Sequence, residues 1–189
     1  MNIGASQPSD YGLYFAWGDT QGYTATQVGS GEGQKYFAWA DYKYGNGTSD
    51  PGSTGMTKYN STDGKTVLEV SDDAVTAAWG GQWHMPTTAE YAALGNAVNT
   101  AWTADYQGSG VAGLVCTDKT DSSKKLFFPA CGAAGYGHMS EVGGRGGYWS
   151  SSLKADNGFA SLFFFYNSLA TWGNEASRLY GYPVRGVFG

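Results

Sequence analysis

Charged residues are scarce in this chain. Asp, Glu, Lys and Arg make up 14% of its 189 residues, and no basic run occurs among them. With a net charge of −5, nucleic acid is not an expected partner, because that affinity rests on neutralising phosphates. No apolar stretch approaches the length of a membrane span, and no signal peptide opens the sequence. Direct membrane insertion by this domain is therefore not expected. Two histidines, His84 and His138, offer no pair at metal-ligand spacing, so no metal or other cofactor is expected. Two cysteines, Cys116 and Cys131, either bond across a hairpin in an oxidising compartment or stay as free buried thiols. The abrupt start Met1-Asn2-Ile3-Gly4 reads as a module cut from a longer protein.

What is abundant is glycine, 30 residues, and aromatics, 16% of the chain. That aromatic content excludes disorder despite the glycine, because disordered chains lack the apolar surface to offset ordering entropy. The expectation is one domain, residues 1–189, heavy in loops and short strands. Tyr11 to Gly18 reads as a short aromatic strand. Residues 19–66 form a long polar excursion with turns at Gly45-Asn46-Gly47 and Asp50-Pro51-Gly52, whose aromatics pin it to the surface by packing. Ser71 is the expected N-cap of a helix running to Trp79, with Asp72 and Asp73 in its first turn and Gly80-Gly81 as its stop. Thr87-x-x-Glu90 is a capping-box pattern opening a second helix, Thr88 to about Asn99, with Ala92, Ala93, Leu94, Ala97 and Val98 as its buried face. Trp102 and Tyr106 lead into a hairpin at 111–131, and residues 132–147 read as an exposed loop.

The last stretch, Gly146 to Gly189, poses the functional question. Ala160, Leu162 and Phe164 alternate with Ser161, Phe163 and Phe165. A half-buried strand alternates apolar with polar. Phe163 and Phe165 therefore need either a second packing layer, for instance beneath the 19–66 excursion, or a binding role. Tyr and Phe give large contact area for few rotatable bonds, and Ser, Gly and Asn give adaptable hydrogen bonding, which is the chemistry of antigen-binding loops.

The string Asn2 to Gly18-Asp19, then Thr57-Lys58-Tyr59-Asn60, Asp72-Asp73-Ala74, Trp79-Gly80-Gly81, Trp83-His84-Met85-Pro86-Thr87, Phe128-Pro129-Ala130, Gly147-Tyr148-Trp149-Ser150-Ser151 and Val184-Arg185 resembles a large family of gut-bacterial surface domains. They share the C-type lectin-like fold of the formylglycine-generating enzyme. The resemblance implies an α+β fold with two helices, short antiparallel strands and long ordered loops. Members usually carry one more strand upstream, and an arginine where this chain has His84. Some members are variable proteins of diversity-generating retroelements, in which a C-terminal segment is rewritten at adenine positions while the scaffold stays fixed. On that reading residues 146–189 are a variable, ligand-binding segment with Ala160, Leu162 and Phe164 as scaffold. The rewritten set is then Ser161, Phe163, Phe165, Tyr166, Ser168, Leu179 and Tyr180, joined by Phe159, Tyr148, Arg145 and Ser140. Trp172 and Glu175 lie outside the reachable alphabet. The implied setting is extracellular, on a bacterial surface or a phage particle, facing a protein or glycan ligand on a cell or host surface.

Enzymatic activity is not expected. The formylglycine-generating relatives use a cysteine pair near the chain end, and no cysteine follows Cys131 here. His84 lacks a nucleophile or an orienting partner and reads as a packed residue with one satisfied nitrogen. Calcium-dependent sugar binding needs clustered carboxylate and amide oxygens, which no motif here supplies. Two further readings stay open: a fixed-specificity carbohydrate-binding or adhesive module, and a degenerate enzyme of the formylglycine-generating type.

Overall fold

The capping signals do most of the local work. In the computed structural model, which describes residues 1–48, 55–154 and 158–189, α1 is Ala74–Trp79 and its N-cap is Asp73 rather than Ser71. Residues Val70–Asp72 first close a 3-10 turn, which moves the helix start two positions on. The Asp73 carboxylate then accepts the amides of Val75 and Thr76, both at 2.9 Å, and of Met85 at 2.8 Å. Gly80 and Gly81, both at positive φ, end the helix and lead into strand β1, Trp83–His84. The capping box forms as expected: Thr87 Oγ1 accepts the Glu90 amide at 3.2 Å while the Glu90 carboxylate accepts the Thr87 amide at 2.8 Å. It opens α2, Thr88–Ala97. The expected buried face of α2 is corrected. Ala92, Ala93 and Ala97 are exposed, and the buried anchor is Tyr91.

Val98 is buried, but as the first residue of β2, Val98–Thr103, which pairs antiparallel with β3, Gly113–Asp118, and through it with β4, Lys125–Pro129. Trp102 therefore belongs to a third strand beside the expected hairpin. The segment 132–147 is also corrected. It is a small hairpin, β5 Ala133–Gly135 and β6 His138–Ser140, with Cys131 to Ala134 buried. Gly146 and Gly147 already belong to β7, Arg145–Leu153. That strand leads an antiparallel sheet with β8, Phe159–Tyr166, and β9, Leu169–Ser177. A last strand, β10 Val187–Phe188, pairs with β1, and Asn2 bridges Arg185, so the N-terminal edge is closed by the C-terminal segment. The result is an α+β fold of two helices and several short antiparallel sheets. Among the described residues no helix is long and apolar enough to cross a membrane.

The β7–β8–β9 sheet is packed on both faces, which overturns the expected division of β8. Phe163 is fully buried, stacked on Trp172 at 4.1 Å and packed edge-on to Phe128 at 5.1 Å, with Tyr91 of α2 at 5.6 Å. Phe165 is fully buried between Tyr148 and Trp102. Both lie beneath α2 and strands β2 and β4, not beneath residues 19–66. Ser161 is buried beside them, and the half-buried member is Phe164. Glycine makes this second layer possible. Gly95 in the middle of α2 costs helix propensity, but a Cβ there would sit 2.6 Å from the Trp172 indole.

Residues 19–66 are tied down by packing, as expected, with Phe37, Tyr42, Tyr44 and Tyr59 buried; the Asp50-Pro51-Gly52 turn lies outside the described residues. They are also held by charge. Asp72, 4% exposed, takes Lys58 and Lys43 as ion pairs, the latter at 3.0 Å, and the Tyr59 hydroxyl at 2.6 Å. The cysteines do not face each other: Cys116 pairs with Leu126 across β3–β4, and both thiols are free and buried.

Three outcomes are expected. Phe163→Ala should cost about 3–5 kcal/mol in urea unfolding, while Tyr166→Ala, on the other side of the sheet, should stay within about 1 kcal/mol; equal costs would refute this register. Burial alone would raise the Asp72 carboxyl, but hydrogen bonds from Lys58, Tyr59 and Lys43 outweigh it and hold it well below the usual range. A depressed folded value means that its contribution is complete above the unfolded value of about 3.9 and is lost as pH falls below that. Asp72→Asn should therefore flatten the acid limb of stability measured between pH 5 and pH 2. Burial pushes both thiols up to about 12. A thiol-reactive dye at pH 8 should label neither in the folded protein and both in urea.

Candidate ligand-binding face

The register of β7 on β8 decides which side chains leave the sheet. Tyr148 opposes Phe163 and Gly146 opposes Phe165 on the packed side, while Arg145 opposes Tyr166, Gly147 opposes Phe164 and Trp149 opposes Leu162 on the other. That second side is covered at its Trp149 end. The Trp149 indole donates to the Phe15 carbonyl at 2.8 Å and meets the Tyr182 ring at 5.0 Å. At the Arg145 end it is open. The Arg145 guanidinium lies over the Phe164 ring at 5.7 Å, and Phe164 meets Tyr166 edge-on at 6.1 Å, with Tyr166 39% exposed.

The β5–β6 hairpin extends this open end. Its tip is Tyr136-Gly137, both at positive φ, the two-residue turn whose twist suits a hairpin. A left-handed tyrosine is costly and holds only where its surroundings fix it. Here the Tyr136 and Gly137 amides donate to the carbonyls of Phe37 and Tyr36 at 3.2 and 2.7 Å. The Tyr136 ring then stands 44% exposed, edge-on to Tyr180 at 6.2 Å. Tyr180 lies across Gly135 and Tyr36 across Gly137, each where a Cβ would come within 2.6 Å of the ring. The two halves of the face adjoin. Gly132 bridges Gly146, and Ala134 bridges Gly181. Burial raises the Tyr182 phenol to about 12, and the fields of Arg145, Tyr180 and Glu141 all reach it. Arg145 Nε is 2.7 Å from the Glu141 carboxylate and pairs with it, at an angle outside hydrogen-bond geometry.

Six of the expected site residues are accessible. Arg145, Tyr166 and Tyr180 share this face. Ser140 is exposed at the end of β6, its hydroxyl donating to the Ala133 carbonyl at 3.3 Å, and Ser168 is exposed in the β8–β9 turn. Phe159 is half-buried at the far end of β8, seven residues from Tyr166 and so about 20 Å away. The other five are corrected, because they are core. Ser161, Phe163 and Phe165 face the second packing layer, Leu179 is buried next to the anchored Arg178, and Tyr148 is buried with its hydroxyl donating to the Pro129 carbonyl at 2.9 Å. Phe164, Tyr36 and Tyr136 were missed by sequence reasoning. A signal existed for Tyr36 alone, whose ring lies over Gly137.

The rest of the surface shows less organised chemistry. Both His84 nitrogens are occupied, Nδ1 by the Gln82 carbonyl at 3.2 Å and Nε2 by Glu90 at 2.9 Å, one more than the single partner expected. Among the described residues no three His, Cys, Asp or Glu side chains are placed to hold a metal ion. No family model, curated protein or solved structure matches the chain.

Proposed function

We propose that this chain is a ligand- or receptor-binding domain whose contact surface is the face formed by Arg145, Phe164, Tyr166 and Tyr180, with Tyr36 and Tyr136 at its margin. One observation carries the reading: partly exposed aromatic rings and one partly exposed arginine converge at the open end of a sheet whose other side is solid core. Tyr and Arg are the residues that dominate interface energies. Rings fixed by glycine-backed hairpins lose little entropy on binding. The partner is a protein or glycan on a cell or host surface, met outside the cell by a bacterial surface protein or a phage particle.

The α+β arrangement, with the ends of the chain paired through Asn2 and Arg185 and through β1 and β10, suits the C-type lectin-like fold that the sequence resembles. A diversified surface fits a narrower set than the sequence alone suggested. Ser140, Arg145, Tyr166, Ser168 and Tyr180 are at least partly accessible, whereas Phe163 and Phe165 cannot vary without loss of core packing. A second reading, fixed carbohydrate binding, is favoured by one feature elsewhere. Trp79, Trp83 and Phe188 form an exposed edge-to-face ladder with ring centroids 5.2 Å apart, 41%, 37% and 61% exposed.

Arrays of glycans and of cell-surface proteins separate these readings when probed with the domain, with Arg145→Glu/Tyr166→Ala, and with Trp83→Ala. The proposal expects hits that the double variant loses at least tenfold and Trp83→Ala keeps, with both variants melting within a few degrees of the parent; sugar hits lost only by Trp83→Ala would transfer the function to the tryptophan ladder. In the flanking DNA, an imperfect repeat of the C-terminal segment should differ at adenines in codons for the accessible residues. A repeat varying at Phe163 or Phe165 would sink the diversified form of the reading.

A further inference from the structure

Away from that face, an apolar cavity of about 390 Å³ lies between α2, β4 and the segment leading into β10. Its walls are Leu94, Leu126, Phe128 and Val187, and two charged side chains border it, Glu90 and Arg185. Glu90 is already engaged. One carboxylate oxygen takes His84 Nε2 at 2.9 Å, and the other takes the amide and hydroxyl of Thr87, both at 2.8 Å. Arg185 is not. The Phe128 ring supports one face of its guanidinium at 4.3 Å, and Nε donates to Asn2 Oδ1 at 3.1 Å. Among the described residues no carboxylate lies within ion-pair distance of Arg185, although the chain carries more acidic than basic residues.

A stacked guanidinium fixed through Nε presents its two terminal nitrogens as a fork. A fork of that kind matches a carboxylate in a two-bond geometry that a point charge cannot reproduce. The cavity volume falls in the range of small-molecule sites, which are mostly apolar with a few placed polar groups. We propose that this cavity binds a small carboxylic acid with an apolar body, either free or as the apolar C-terminal residue of a peptide. The carboxylate sits on the terminal nitrogens of Arg185, and the apolar body lies against Leu94, Leu126 and Phe128.

The test is titration of the whole chain by NMR with hexanoate, hexan-1-ol, and a glycine tetrapeptide extended by leucine with either a free or an amidated C-terminus. Hexanoate should shift Leu94, Leu126 and Val187 resonances and bind at least about tenfold tighter than hexanol, as a charge-assisted pair requires. Leu126→Glu, at a position 45% exposed, puts a negative charge at the mouth without disturbing the core. It should abolish hexanoate binding, weaken hexanol only by the lost apolar contact with Leu126, and leave the melting temperature nearly unchanged. Arg185→Lys should weaken hexanoate several-fold. A free-acid peptide tighter than hexanoate, with its amide inert, identifies a chain terminus as the source, and the reverse order identifies a free acid. Equal affinity for acid and alcohol, hexanoate binding that survives Leu126→Glu, or no shifts at millimolar hexanoate would each overturn the assignment.

Discussion

Two buried charges of opposite sign hold the same two residues, and much of the chain hangs from that arrangement. Arg178, fully buried and lying over the Trp17 ring at 5.2 Å, donates through its terminal nitrogens to the carbonyls of Lys58 and Tyr59. Asp72 takes the side chains of those same residues, the Lys58 ammonium and the Tyr59 hydroxyl. The Trp17 segment, which makes isolated bridges at Tyr14 and Phe15 in place of the expected strand, is thereby tied at one place to the long excursion, the entry to α1 and the end of β9. A buried guanidinium left with bare carbonyls, or a buried carboxylate left without donors, is costly enough that neither half of this tie is stable without the other. It explains how a chain with so few helical residues keeps some fifty loop residues in place. Their apolar anchors fix position, and the charges fix which segment goes where.

The sequence was most legible where a signal is local. The capping box at Thr87 and Glu90, the double-glycine stop after Trp79 and the β3–β4 hairpin formed at their expected places because each depends only on residues a few positions apart. Asp73 displaced Ser71 as cap because a turn at Val70–Asp72 intervened, and its second carboxylate oxygen had a distant customer, the Met85 amide, that no local pattern announces. The side from which Phe163 and Phe165 are buried was not legible at all. Apolar residues on both sides of a strand state that something covers each side, but not which cover is deeper. Here α2 and the β2–β4 sheet close over one side entirely, whereas Tyr182 and Trp149 reach only part of the other.

That asymmetry gives the candidate face its character. Phe164 and Tyr166 stand on a strand whose reverse is solid core, so under the proposed function the surface is preorganised for a partner. Arg145 is the charged member, placed between the Phe164 ring and the Glu141 carboxylate with which it pairs. The tyrosines around the β5–β6 tip are fixed from behind by backbone bonds to Tyr36 and Phe37.

The glycine pair in β7 also works as a keyway. Gly146 receives the Phe165 ring from one side and Gly147 receives the Tyr182 ring from the other, each in space that any Cβ would occupy. In a strand a slip of one residue exchanges the two faces wholesale. With β8 shifted by one position, Phe165 would meet Arg145 or Gly147 instead, and the aromatic layer under α2 would be turned outward. Adjacent notches opening to opposite sides admit one alignment only, so two residues without side chains determine which side chains the surroundings encounter.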